Sequence, residues 1–122
     1  MMIRNIPIKY TDMDLLEELE ELSGKFDCVY LPFDYKKNGN RGYAFINFVH
    51  PLHILLFYRI FQDKDWLKYE SKKICKLDAA NYQGINEIKR HAKNYKEKKP
   101  IFFDLQNFVS DLHIPIVKLT IY

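Results

Sequence analysis

The chain has 122 residues, of which 48% are hydrophobic, 16% aromatic and 29% charged, with a formal net charge of +3. That length suits one domain with a real core, and the composition excludes both a disordered chain and a membrane-embedded one. No stretch approaches the length of a membrane span, and the amino terminus lacks the basic, apolar and small-residue succession of a secretory signal. The chain is therefore expected to be intracellular, in the nucleus, the cytoplasm or both.

In chain order, Met1 to Arg4 read as a short strand closed by Asn5-Ile6-Pro7, because proline cannot donate to a sheet ladder. Thr11 stands three residues before Asp14 as in a capping box, and Leu15, Leu16, Leu19 and Leu22 follow at helical spacing until Gly24 ends the helix. The other positions of this helix, Asp12, Asp14, Glu17, Glu18, Glu20 and Glu21, give it an acidic outer face. Residues 26 to 32 are rich in β-formers and predict a second strand, and residues 34 to 41 form a polar loop with Asn-Gly turn chemistry.

Residues 42 to 49 alternate as a third strand, with Tyr43, Phe45 and Asn47 on one face and Ala44, Ile46 and Phe48 on the other. Pro51 opens a second helix that runs through Gln62 and is apolar on almost every side, so something beyond the sheet is expected to pack on it. Residues 72 to 80 can make a fourth strand. Ile85, Ile88, Ala92 and Tyr95 then form a stripe at helical spacing, ringed by Lys89, Arg90, Lys93 and Lys96, which predicts a third, basic helix. After Pro100 the tail carries many apolar residues that need burial. It is expected to cover the second helix, with residues 117 to 122 adding an edge strand whose backward extent Pro115 limits.

The order strand, helix, strand, strand, helix, strand is the split βαβ arrangement. It predicts an α+β, ferredoxin-like βαββαβ sandwich with a four-stranded antiparallel sheet in the order 4-1-3-2, an extra C-terminal helix and an apolar tail. Residues 1–97 are read as the main domain with its added helix, and residues 98–122 as an extension packing on it.

The octamer RGYAFINF at residues 41 to 48 matches the pattern K/R-G-F/Y-G/A-F-V-x-F/Y with Ile46 in place of Val. That pattern belongs to RNA-recognition motifs, and its chemistry depends on alternation: Tyr43 and Phe45 would each offer a flat surface to an unstacked base. Arg41 would meet a phosphate or a base edge, and Asn47 shares the face. Met2 and Arg4 of the first strand lie on the same side, Met2 standing where an aromatic is usual. Tyr30 on the second strand is a further candidate, since Val29 and Leu31 suit the core side. Residues 72 to 99 hold nine Lys/Arg against three acids. Within them Lys76, Lys89, Arg90 and Lys93 are the expected phosphate contacts. Single-stranded RNA is the partner these residues imply.

Other chemistry finds little support. His50 and His53 are spaced i, i+3 with no second pair or carboxylate cluster, so no metal is expected. No cofactor motif, phosphate loop or nucleophile with its base is recognisable, and an enzyme is not expected. Cys28 and Cys75 would lie three strand spacings, or ~14 Å, apart, too far for a disulfide. The alternative reading is a peptide- or protein-binding domain that uses the acidic first helix with Arg59 and Phe61, and a protein partner stays open on that account.

The chain resembles the RNA-recognition motif found near the carboxyl end of the Mei-two-like meiosis regulators. The resemblance rests on MIRNIPIKYTDMDLLEEL, on YLPFDYKK followed by GYAFINFVHPLHILLFY, on Trp66 after the second helix, and on YQGINEIKRH after the fourth strand. It covers roughly residues 1 to 95 and implies RNA binding, an added helix after strand four, and roles in developmental or meiotic control of transcripts. The family pattern also lacks an aromatic at the position of Met2. Family members are usually long, with further RNA-binding domains upstream, so the chain reads as a fragment of such a protein or a stand-alone form.

Overall fold

The computed structural model describes residues 1–79, 88, 90, 100–109 and 114–118, those after Phe103 by their backbone. Strand β1, Met2–Arg4, lies between β5, Tyr43–Phe48, and β6, Lys76–Asp78, and β2, Phe26–Tyr30, pairs with the other side of β5. These four strands, all antiparallel to their neighbours, reproduce the expected 4-1-3-2 order. Helices α1, Asp12–Glu18, and α2, Pro51–Phe61, pack on one face of the sheet.

The core beneath the helices follows from the period-two alternation. Ile3 of β1, Val29 of β2, Ala44 and Ile46 of β5 and Leu77 of β6 meet Leu15, Leu19, Leu22, Phe57 and Phe61 from the helical layer, all at most 3% exposed. Each large apolar side chain so buried contributes about 1.5–3 kcal/mol.

The first helix starts where the sequence places it. Thr11 caps the backbone of Asp14 while the Asp14 carboxylate accepts from the Thr11 N–H, a closed capping box. It ends sooner than the leucine spacing suggests: α1 stops at Glu18 and a 3-10 turn, Glu20–Leu22, carries the last leucine into the core. The polar loop after β2 also has structure of its own, a two-stranded hairpin of β3, Phe33–Asp34, and β4, Gly39–Asn40.

The tail corrects the expectation drawn from its composition. Strand β7, Ile101–Val109, pairs antiparallel with β2, and β8, Ile114–Lys118, pairs with β7, so the tail widens the sheet to six strands instead of covering α2. The unpaired backbone of β2's outer edge is the physical reason, since a β-rich segment satisfies its hydrogen bonds there and a lone chain crossing a helix cannot. Ile101 and Phe102 become buried, and the Phe103 ring meets Phe26 edge-on at 5.2 Å. Leu52 and Leu55 on the outer side of α2 stay 64% and 66% exposed. Pro115 lies within β8 and does not end it; residues 119 to 122 of the expected edge strand lie outside the described residues.

The segment after α2 clasps the acidic helix. Trp66 is buried edge-on to Tyr10 at 5.3 Å, and Lys68 Nζ reaches Asp14 Oδ1 at 2.6 Å and Glu17 Oε2 at 2.9 Å. The Lys68 ammonium, with the Thr11 bonds, holds the buried Asp14 carboxyl below the usual carboxylate range against the opposing effect of burial. A depressed acid contributes stability above its unfolded pKa and loses it as pH falls through the folded value. Asp14→Asn should therefore be clearly less stable than wild type at neutral pH. The gap should narrow on acidification in urea melts run across pH, and a gap that does not change with pH would refute the ion-pair account.

Candidate nucleic-acid interface

The sheet face away from α1 and α2 is set by the alternate residues of four strands, arranged in cross-strand rows. Lys76, Arg4 and Tyr43 are register partners in the first row, and Asp78, Met2, Phe45 and Tyr30 in the second. Asn47, Cys28 and Phe102 follow in the third. The expected grouping of Met2, Arg4, Tyr30, Tyr43, Phe45 and Asn47 on one face is thus what the fold produces, and Lys76, expected only as a phosphate contact on the fourth strand, is in register with Arg4 there.

Their exposure is not what the octamer alone implies. Ile88, which like Arg90 is helical, is 1% exposed and packs with Cys28, Tyr30, Phe45 and Phe102, while Met2 and Tyr43 sit half-buried at the margin of this second apolar cluster. Phe45 is left 4% exposed and Tyr30 fully buried, their rings stacked at 6.3 Å and 25°. Tyr43 meets Phe45 edge-on at 5.7 Å. Alternation assigns a face but not what lies over it: the aromatic face is an apolar surface on which Ile88 and Phe102 bury themselves.

The charged side chains at the margin are exposed and ion-paired. Arg4 Nη1 meets Asp78 Oδ2 at 2.7 Å, and Lys76 Nζ bridges to Asp63. Such exposed pairs are worth little and can be re-partnered by a phosphate. Arg41 and Arg90 are exposed; Lys89 and Lys93 lie outside the described residues. The Asn47 side-chain amide donates to Asp27 Oδ1 at 2.8 Å, across to the irregular start of β2.

Arg41 owes its place to its neighbours. The Asn40 side chain, 2% exposed, donates to the carbonyls of Pro7 at 2.8 Å, Ile8 at 3.2 Å and Tyr10 at 3.0 Å, and accepts from Gly42 N–H at 2.6 Å. Gly42 adopts φ +87°, which suits glycine, and the Arg41 N–H bonds Pro32 O at 2.9 Å. Sequence reasoning passed over Asn40 as a loop residue. It also passed over Asp78, although alternation with Lys76 on the fourth strand was a signal that could have found it.

Features proposed for other chemistry have structural partners. Phe61 is fully buried and has the Lys64 ammonium 4.6 Å from its ring centroid, whereas Arg59 is exposed on α2. Glu18 accepts from Leu67 N–H at 2.6 Å, so Asp14, Glu17 and Glu18 of the acidic helix all contact the segment after α2. His50 Nδ1 accepts from Leu52 N–H as the cap of α2, and His53 Nδ1 lies 3.3 Å from Lys25 O. Among the described residues no group of three or more His, Cys, Asp or Glu side chains is placed to hold a metal, and no helix is long and apolar enough to cross a membrane. Cys28 and Cys75 are buried and not joined in a disulfide, and burial pushes the Cys75 thiol up to about 12.

Residues 1–93 match the family described as RNA recognition motif 2. Protein MEI2-like 2 of Oryza sativa subsp. japonica is 42% identical over 110 residues, 84% of this chain and 13% of that protein. Protein MEI2-like 5 of Arabidopsis thaliana is 40% identical over 114 residues, 88% of this chain and 14% of that protein. The chain therefore spans only about one-seventh of the length of these relatives. It belongs to the RNA recognition motif family, in the Mei2-like form, and is an RNA-binding domain, not an enzyme.

Proposed function

We propose that the domain binds single-stranded RNA across the margin of the sheet face, with one base stacked on Tyr43 and the phosphates drawn by Arg4, Arg41, Lys76 and Arg90. The observation that carries this reading is the cross-strand row Lys76, Arg4, Tyr43, a half-buried ring with two long cations in succession on one side of it. A ring of this kind contributes about 1–3 kcal/mol per stacked base with little regard to base identity. Phe45, Met2 and Tyr30 support the ring, Asn47 steadies the far end of β5, and Lys89 and Lys93 are further phosphate contacts. Residues 1–97 form the binding unit and residues 98–122 an extension of the same domain. By the resemblance to meiosis regulators, the process served is developmental or meiotic control of transcripts.

The test is anisotropy of a short labelled single-stranded RNA with wild type, Tyr43→Ala and a combined Arg4→Ala/Arg41→Ala variant at several salt concentrations. Affinity should fall as salt rises, with a slope of about −0.7 per phosphate neutralised. The arginine variant should flatten that slope while Tyr43→Ala lowers affinity at every salt concentration and leaves the slope alone. Wild-type affinity in Tyr43→Ala would refute stacking on the sheet.

A further inference from the structure

Asp78 has no assigned task at this interface and its partner Arg4 only a general one as a cation, and the following inference rests on the RNA reading above. Arg4 is the direct cross-strand partner of Tyr43, and Asp78 lies one strand farther out, two residues along from Lys76. Their side chains meet at 2.7 Å and are 55% and 47% exposed, so the pair stands in solvent beside the ring. A base lying flat on Tyr43 extends its edge over the neighbouring strand, whose axis is ~4.8 Å away. The first polar group in that direction is Arg4, whose guanidinium is held by Asp78 of the next row, while Lys76, in register beyond Arg4, is paired with Asp63.

We infer that the Arg4–Asp78 pair selects guanine as the base stacked on Tyr43. The pair offers guanidinium donors beside carboxylate acceptors, already held at hydrogen-bonding distance. Guanine carries an acceptor, O6, followed by two adjacent donors, N1–H and the 2-amino group. It can therefore take the guanidinium at O6 and bind the carboxylate through both donors, a charge-assisted bidentate contact. Adenine and cytosine give the carboxylate only one amino group, and the single N3–H of uracil lies between two carbonyls that the carboxylate repels. The bond from Arg4 occupies one lone pair of Oδ2, and a carboxylate has about four acceptor sites, so the ion pair and the base are compatible. Arg4 and Asp78 thus act as base-reading residues, while Tyr43 supplies the sequence-tolerant stacking.

The experiment uses short labelled oligouridines with G, A, C or inosine at one central position, titrated with wild type, Asp78→Asn and Tyr43→Ala. The G-containing oligomer should bind wild type about tenfold more tightly than plain oligouridine or the A and C versions. Inosine, which lacks the 2-amino group, should lose most of that advantage. Asp78→Asn should abolish the preference for G, so that within that variant the G-containing oligomer binds no more tightly than oligouridine. Equal affinity for all the oligomers, or a loss in Asp78→Asn that is the same for every base, overturns the inference. If binding is sensitive to Tyr43→Ala but indifferent to the base, selection by the pair falls and RNA binding at this face stands. If no oligomer binds, or Tyr43→Ala has no effect, both fall.

Discussion

Tyr43→Ala and Phe45→Ala, two residues apart on β5, are expected to fail in different assays. Phe45 is 4% exposed between Tyr30 and Ile88, and truncating it leaves a cavity in the second apolar cluster. The expected cost is about 3–5 kcal/mol of stability, read as a lower urea midpoint with unchanged slope. Tyr43 sits half-buried at the margin of that cluster. Its truncation should leave the midpoint close to wild type and weaken RNA binding by roughly 5- to 150-fold, the equivalent of about 1–3 kcal/mol for one stacked base. A double substitution would merge the two effects, because RNA affinity measured on a partly unfolded domain reports folding. The single variants separate them. A near-native midpoint for Phe45→Ala would show that Ile88 does not hold that ring in a packed core.

The second large effect is expected at Asn40. Its one buried amide donates to three carbonyls of residues 7 to 10 and accepts from Gly42 N–H, so it ties the chain after β1 to the start of β5. Pro7 O and Ile8 O keep backbone donors, the N–H groups of Tyr10 and of residue 40, so Asn40→Ala takes the side-chain partner chiefly from Tyr10 O and Gly42 N–H, at about 1–3 kcal/mol for each buried group that finds no substitute. A loss of roughly 3 kcal/mol or more is expected, and Asn40→Asp should be worse, because a carboxylate would face three carbonyl oxygens. Next to it, a Cβ on Gly39 would come within 2.6 Å of Ile8 Cγ1 and 2.7 Å of Ile8 O, so Gly39→Ala should disturb the same junction. Thermal melts give the size of the loss, and amide exchange at Gly42 shows whether it starts there. An Asn40→Ala variant that melts like wild type would mean that the junction is held by the strand pairing alone. RNA affinity should fall with the junction, since Arg41 and Tyr43 flank it.

The parts of this fold that were legible in the sequence are those governed by a local period. Alternation along residues 43 to 48 placed Tyr43 and Phe45 opposite Ala44 and Ile46. Thr11 and Asp14 marked the start of α1, and the succession of elements gave the order of the inner four strands. What the sequence hid depends on contacts between distant segments. The apolar surplus of α2 suggested that the tail would cover it, yet the tail found a better bargain in the open hydrogen bonds of β2, and Leu52 and Leu55 remain exposed. The covering of Phe45 by Ile88 was hidden for the same reason, although the helical stripe at residue 88 already showed an apolar face in need of a surface. Asn40 was hidden by its setting, since a polar residue in an Asn-Gly loop reads as a turn former until its three carbonyl partners are seen.

The pairing of β7 with β2 also bears on how the protein behaves in concentrated solution. Strand β2, Phe26–Tyr30, is short, β-branched or aromatic at three of five positions, and carries a single charge. Left unpaired, such a rim recruits strands from other molecules and seeds aggregates. With β7 and β8 in place, the outermost strand on that side is β8, where Pro115 interrupts the row of amide donors, and the opposite rim is the three-residue β6. The extension thus blunts the side of the sheet that would otherwise be stickiest, a protection from intermolecular β-pairing that any version of the domain trimmed after residue 97 would forgo.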